Sequence, residues 1–199
     1  MFRPPMDARS RRLGAVSGLA AGVCFIVLYA VAMSLDSEYV FGKNYLSDLG
    51  VREGAWAFNS GLIIAGVLFL AFDILSIRMI IGKRLLDRAA VAMLVIGTAF
   101  LILVGIFTED AGDLHGFVSY GFFLSMLAAL GLTTECMYRS RSLGRLGYAV
   151  TLVVFLLGIS LLPMGGDPLS ETIAVLGILS WGLIISVALL LKMSGFNIP

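Results

Sequence analysis

The sequence predicts an all-α integral membrane bundle of six helices with both termini cytoplasmic, and three observations carry that prediction. Hydrophobic residues make up 59% of the 199 residues and charged residues 14%, against about 25% charged in an average soluble domain. The apolar residues gather into six runs, each near the roughly 20 residues that cross about 30 Å of hydrocarbon. The charges between the runs are sorted by sign. Odd-numbered segments hold Arg3, Arg9, Arg11, Arg12, Arg78, Lys83, Arg84, Arg88, Arg139, Arg141, Arg145 and Lys192. Even-numbered segments hold only Lys43 and Arg52, beside Asp36, Glu38, Asp48, Glu53, Glu109, Asp110, Asp113, Asp167 and Glu171. Lys and Arg stay on the cytoplasmic side during insertion, so the odd segments face inward and most carboxylates face outward. The expectation is a single six-span domain over residues 1–199. A formal net charge of +1 says little, because it averages two faces of opposite sign.

Span one is expected over about 13–35; the basic residues before it imitate a signal peptide, but the apolar run is too long for a usual h-region, and a retained helix is expected. Its Gly14, Gly18 and Gly22 form a small-xxx-small stripe that lets helix backbones approach closely, here within one chain rather than between copies. The loop over 36–54 is the longest, with Tyr39, Phe41 and Tyr45 suited to the membrane interface and Asn44-Tyr45-Leu46-Ser47-Asp48-Leu49-Gly50 expected as a short helix on the membrane surface. Span two, about 55–77, carries Asn59 one turn inside its outer end and Asp73 near its inner end. Span three covers about 89–107, and the tight loop Asp110 to Asp113 leads into span four, which ends near Met137. Span five, about 146–163, stops at Pro163. Asp167 is placed to cap span six, with Pro168 in its first helical position and Glu171 in its first turn.

Cys24, in the middle of span one, and Cys136, at the inner end of span four, are expected to be separated by much of a bilayer leaflet, with no Cys-x-x-Cys pair, and read as small core residues. Asp73 and Glu135 are expected to pair locally with Arg78 and Arg139. Asp36, Glu38, Glu53 and Asp110 read as solvated loop acids.

The chemistry-bearing candidates are Asp48, Glu109, His115 and Glu171 as catalytic groups, with Asn59 and Asp113 as ligand-binding or orienting groups. They come from different hairpins yet share one depth, and ionisable groups at membrane depth usually face an interior or a water-filled space. A histidine among carboxylates suits acid–base work or metal coordination. A single histidine without paired cysteines makes any metal site carboxylate-rich, suited to a divalent cation such as Ca²⁺, Mg²⁺ or Mn²⁺. There is no Gly-rich phosphate loop after a strand and no Gly-x-Ser-x-Gly elbow. The basic loops are explained by insertion topology, so no nucleic-acid partner is expected.

The stretch Asn44 to Gly50, Asn59, the Phe107-Thr108-Glu109 turn followed by His115, and the Pro168 to Glu171 turn resemble the domain of unknown function 998 family of small six-span membrane proteins. The resemblance spans essentially the whole chain, and Ser47-Asp48-Leu49-Gly50 is its most specific element. It implies an integral membrane bundle with an outward polar cluster, and by position it favours Asp48, Asn59, Glu109, His115 and Glu171 over the other outer acids. It supplies no substrate and no cofactor.

The functional expectation is a membrane-embedded enzyme that hydrolyses or transfers a lipid or lipid-linked headgroup, with membrane lipids as partners. His115 would be base or metal ligand, and Asp48, Glu109 and Glu171 would orient it or hold a cation. The competing readings are a binding or sensory protein using the same cavity, and a small transporter or channel. The apolar span centres disfavour the last.

Overall fold

The computed structural model describes residues 8–77, 82 and 84–196. Its long helices are α1 (Ala8–Leu35), α2 (Ala55–Phe72), α3 (Leu85–Ile106), α4 (Asp113–Ser140), α5 (Gly144–Leu161) and α6 (Pro168–Met193). A π-helical turn, Asp73–Ile77, prolongs α2, and a 3₁₀ turn, Leu162–Met164, prolongs α5. All six are long and apolar enough to cross a membrane, and the described residues contain no strand. Arg3, Arg78 and Lys83, three of the charges in the sorting pattern, lie outside the described residues.

Each helix packs on its chain neighbours, and α6 closes back on α1. The turns over 107–112, 141–143 and 165–167 are short enough that antiparallel neighbours are the only partners they can reach, whereas α1 and α2 are joined by the long loop over 36–54. The helices run beyond the apolar stretches: α1 begins at Ala8 rather than 13, and α3 at Leu85 rather than 89. Backbone hydrogen bonding does not stop where the side chains turn polar, so a helix continues until a cap or breaker ends it.

The glycine stripe of α1 packs within the chain. Gly14 lies against Ser76, Gly18 against Phe72 and Ser186, and Gly22 against Leu183, leaving no room for a Cβ at any of them. The Ser76 hydroxyl donates to the Arg11 carbonyl at 2.8 Å, which ties the π-helical turn to α1. On the opposite side of the bundle, Trp181 Nε1 donates to Thr151 Oγ1 at 3.0 Å and joins α6 to α5. The Asp167 carboxylate accepts from the Ser170 amide at 2.8 Å and caps α6, with Pro168 at the first helical position as the sequence predicts.

The pairing expected of Asp73 falls partly outside the described residues, and the placement of Asp36 differs from the sequence-based expectation. Asp73 is 2% exposed and accepts from Thr98 Oγ1 at 2.7 Å, so its visible partner is a neutral hydroxyl on α3. Its expected partner, Arg78, lies outside the described residues. Asp36 is no solvated loop acid: it is 5% exposed, accepts from the Glu38 amide at 3.0 Å, and lies 3.9 Å from Arg52. Glu135 and Arg139 do pair, one helical turn apart on α4. Cys136 is buried, and Cys24 is partly so.

Candidate functional site

The segments 36–54, 107–112 and 162–167 gather at one end of the bundle, its acidic end. The first of these forms the expected short helical turn but directs two leucines into the bundle. Leu46 and Leu49 are 3% and 0% exposed and pack into a cluster with Phe25, Tyr29, Phe58 and Leu62. A 3₁₀ turn, Ser47–Gly50, connects these anchors. Burying two leucines removes enough apolar surface to hold the loop down, at roughly 1.5–3 kcal/mol for each side chain. Asn59 Nδ2 donates to the Gly50 carbonyl at 2.8 Å and fastens the turn to α2.

Inside that loop, Asn44 Nδ2 donates to Asp48 Oδ2 at 3.1 Å, and Arg52 lies 3.5 Å from the same oxygen. Asp48 then meets Glu109 across the mouth of the bundle. Burial pushes the Glu109 carboxyl above the usual carboxylate range, and Asp48 raises it further by its charge and by a hydrogen bond between the two groups. His115 and Arg52 act in the opposite sense.

Glu171, in the first turn of α6, reaches across to the loop: its Oε2 accepts from the Leu46 amide at 2.7 Å. This amide opens the 3₁₀ turn, so Glu171 satisfies an N–H that the turn itself leaves free. Burial likewise holds the Tyr39 phenol above its ordinary range, followed by its 3.2 Å hydrogen bond with Tyr29.

His115 is placed by the turn before α4. Gly112, at φ +59°, takes a positive-φ conformation that glycine adopts without a Cβ penalty, and reverses the chain after Glu109–Ala111. The Phe107 carbonyl at the end of α3 thereby comes 2.8 Å from His115 Nδ1. A carbonyl only accepts, so Nδ1 carries the hydrogen and Nε2 of the neutral ring is left as an acceptor. Ser119, one helical turn along α4, has its Oγ 3.2 Å from that Nε2.

These groups open onto a cavity of about 570 Å³ running between α4, α5 and α6. Glu109, His115, Ser119 and Glu171 line its polar mouth. Leu124, Leu127, Val154, Leu157 and Ala174 are among the residues that line its apolar length. A second, narrow cavity of about 80 Å³ lies in the bundle centre, touching Ser119 and Glu171 at one end and Asp73 with Thr98 at the other. Between those ends its walls are apolar, including Phe58, Leu62, Leu101 and Phe122.

The structure therefore brings Asp48, Glu109, His115 and Glu171 to one end, with three of them on the groove and Asp48 behind Glu109. Asn59 bonds the loop backbone, and Asp113 is exposed at the start of α4, outside both cavities. Among the described residues, no three His, Cys, Asp or Glu side chains gather closely enough to hold a metal ion. Ser119 is not among the residues the sequence singles out. Its signal lies in its spacing from His115, because residues four apart on a helix are neighbours.

Fold and site together define a multi-pass helical membrane protein with a polar mouth on a long apolar groove. The chain belongs to the family described as protein of unknown function DUF998, whose model matches residues 19–196. No curated protein matches the chain. No solved structure matches it either.

Proposed function

We propose that this protein is a membrane-embedded enzyme acting on a lipid or lipid-linked substrate, with the acidic end facing outward and both termini cytoplasmic. The observation that carries the reading is the groove of about 570 Å³, apolar along its length and polar only at its mouth. That volume falls within the few hundred to about a thousand Å³ of small-ligand sites. An acyl or isoprenoid chain suits the leucine and valine walls, and its headgroup would then meet Glu109, His115, Ser119 and Glu171. His115, with Nε2 available as an acceptor, serves as general base. The sorted Lys and Arg residues support the orientation. The apolar walls of the central cavity argue against a polar transport track.

Binding is tested in nanodiscs with a fluorescent phosphatidylethanolamine carrying a labelled acyl chain. Saturable binding is expected in the wild type, and Ala174→Trp should remove it by filling the groove while the thermal transition stays within a few degrees. Undiminished binding in a folded Ala174→Trp protein removes the groove from the reading. For the orientation, Ser37→Cys should react with an impermeant maleimide on whole cells and Ser142→Cys should not; the reverse pattern inverts the topology.

A further inference from the structure

Helix hydroxyls in this chain mostly bond to their own backbone. Ser17, Thr134, Thr151, Thr172 and Ser186 each donate to the carbonyl four residues back. That is the ordinary fate of Ser and Thr in apolar helices, where no water is available to satisfy the hydroxyl. Ser119 is different. Its Oγ lies 3.2 Å from His115 Nε2, and the Phe107 carbonyl on Nδ1 makes Nε2 an acceptor. The Ser119 hydroxyl is therefore the donor. This is the relation of a nucleophile to its general base, with the base oriented by a third group. Ser119 also lines both the groove and the central cavity, so it borders the space a substrate would occupy.

We propose that Ser119 is the nucleophile of a serine–histidine pair that cleaves or transfers the acyl group of an ester-linked lipid held in the groove. This rests on the lipid-enzyme reading above and names its reaction. Ser119 Oγ attacks the ester carbonyl carbon as its proton passes to His115 Nε2, giving a tetrahedral intermediate. The ester C–O bond then breaks, and the alkoxide leaves with that proton. The acyl group is now esterified to Ser119. Water, or the hydroxyl of a second lipid, attacks the acyl carbon, gives its proton to Nε2, and displaces Oγ, which takes the proton back. No oxidant or metal is needed for the balance. Glu109 lies close enough for its charge interaction with His115 to register and lines the same mouth. When ionised it stabilises the imidazolium formed during attack.

The test uses the purified full chain in nanodiscs with a long-chain fluorophosphonate, followed by peptide mass spectrometry. A single phosphonyl adduct on Ser119 is expected. Ser119→Ala should abolish it, and His115→Ala should slow it by about a hundredfold or more. Ser17→Ala, whose hydroxyl is spent on its own helix, should label like the wild type. The adduct is located on the wild-type chain itself, so the result holds even where a variant unfolds. No adduct, or one on another residue, overturns the proposal. A hexadecyl glycerol ether, which has no ester carbonyl for Ser119 to attack, separates the two readings by its effect on the thermal transition. Stabilisation without an adduct overturns the nucleophile and leaves the lipid site. Neither stabilisation nor an adduct overturns both.

Discussion

The contact of α1 with α2 and the space between α4, α5 and α6 are built from the same residue types and reach opposite results. Along α1 and α2, Gly14, Gly18, Gly54 and Gly61 let one backbone or side chain press directly against the next. Around the groove, Gly116 faces open space, while Gly158 lies against Leu127 and Gly177 against Leu157. In α5 only Gly147 and Thr151 are buried, whereas seven residues of α2 are. Small residues in lipid therefore do one of two things. Where facing helices close up they give tight packing, and where nothing faces them, as at Gly116, they border the cavity. The braced side carries the loop that covers the acidic end, and the open side carries the groove.

The largest effect that could break this comparison is expected at Gly54. A Cβ there would sit 2.5 Å from the Ala32 carbonyl oxygen and 2.8 Å from its Cα, so backbone and not a flexible side chain must move. Gly54→Ala should cost about 1–3 kcal/mol, the usual range for overpacking. Gly116→Ala meets nothing within 4 Å and should stabilise α4 by up to about 1 kcal/mol through helix propensity alone. Thermal transitions of both variants in one detergent decide the matter. Equal shifts, or a loss at Gly116, would show that the groove is closed in solution.

A smaller effect separates the loop from the helices it covers. Asn59→Ala removes the hydrogen bond to the Gly50 carbonyl and should cost about 1 kcal/mol. The loss should appear as faster amide exchange over residues 46–50, with α5 and α6 unchanged. Exchange rising equally across the groove helices would mean that the two sides unfold as one unit.

The sequence exposes some of this division and hides the rest. Six spans are legible because length and apolarity alone decide whether a helix can cross a bilayer. The stripe at Gly14, Gly18 and Gly22 is legible because close approach needs glycine, and Asp167 because a cap needs a short acceptor ahead of Pro168. The groove is not legible. Leu124 and Leu157 would look the same facing lipid or facing a cavity, since both surroundings are apolar. The burial of Leu46, Leu49 and Asp36 is hidden because an irregular loop has no periodicity to reveal its inner face. The gathering of Asp48, Glu109, His115 and Glu171 at one end follows from their common depth. The His115–Ser119 contact needed the Phe107 carbonyl to fix the ring, and that carbonyl is positioned by a turn at Gly112 rather than by any residue identity.

The smallest effect is electrostatic and sharpens the comparison at the mouth. On the braced side, Arg52 lies near both Asp36 and Asp48. On the open side, Glu109 is raised by burial and then by Asp48, with His115 and Arg52 only partly offsetting this. A carboxyl raised on folding binds its proton more tightly in the native state, so the native state holds the excess proton over the window between the two values. Stability is therefore greatest at the acidic edge of that window and falls as pH rises through it, from the ordinary carboxylate range near about pH 4 upward. Above the raised value the loss is complete and the curve is flat. Glu109→Gln retains a donor toward Asp48 but cannot ionise, so it should melt like the wild type in acid and at a higher temperature near neutrality. The difference between the two melting curves across pH isolates this one group from every other carboxylate. A flat difference, or one that favours the wild type as pH rises, would mean that folding does not raise the Glu109 carboxyl.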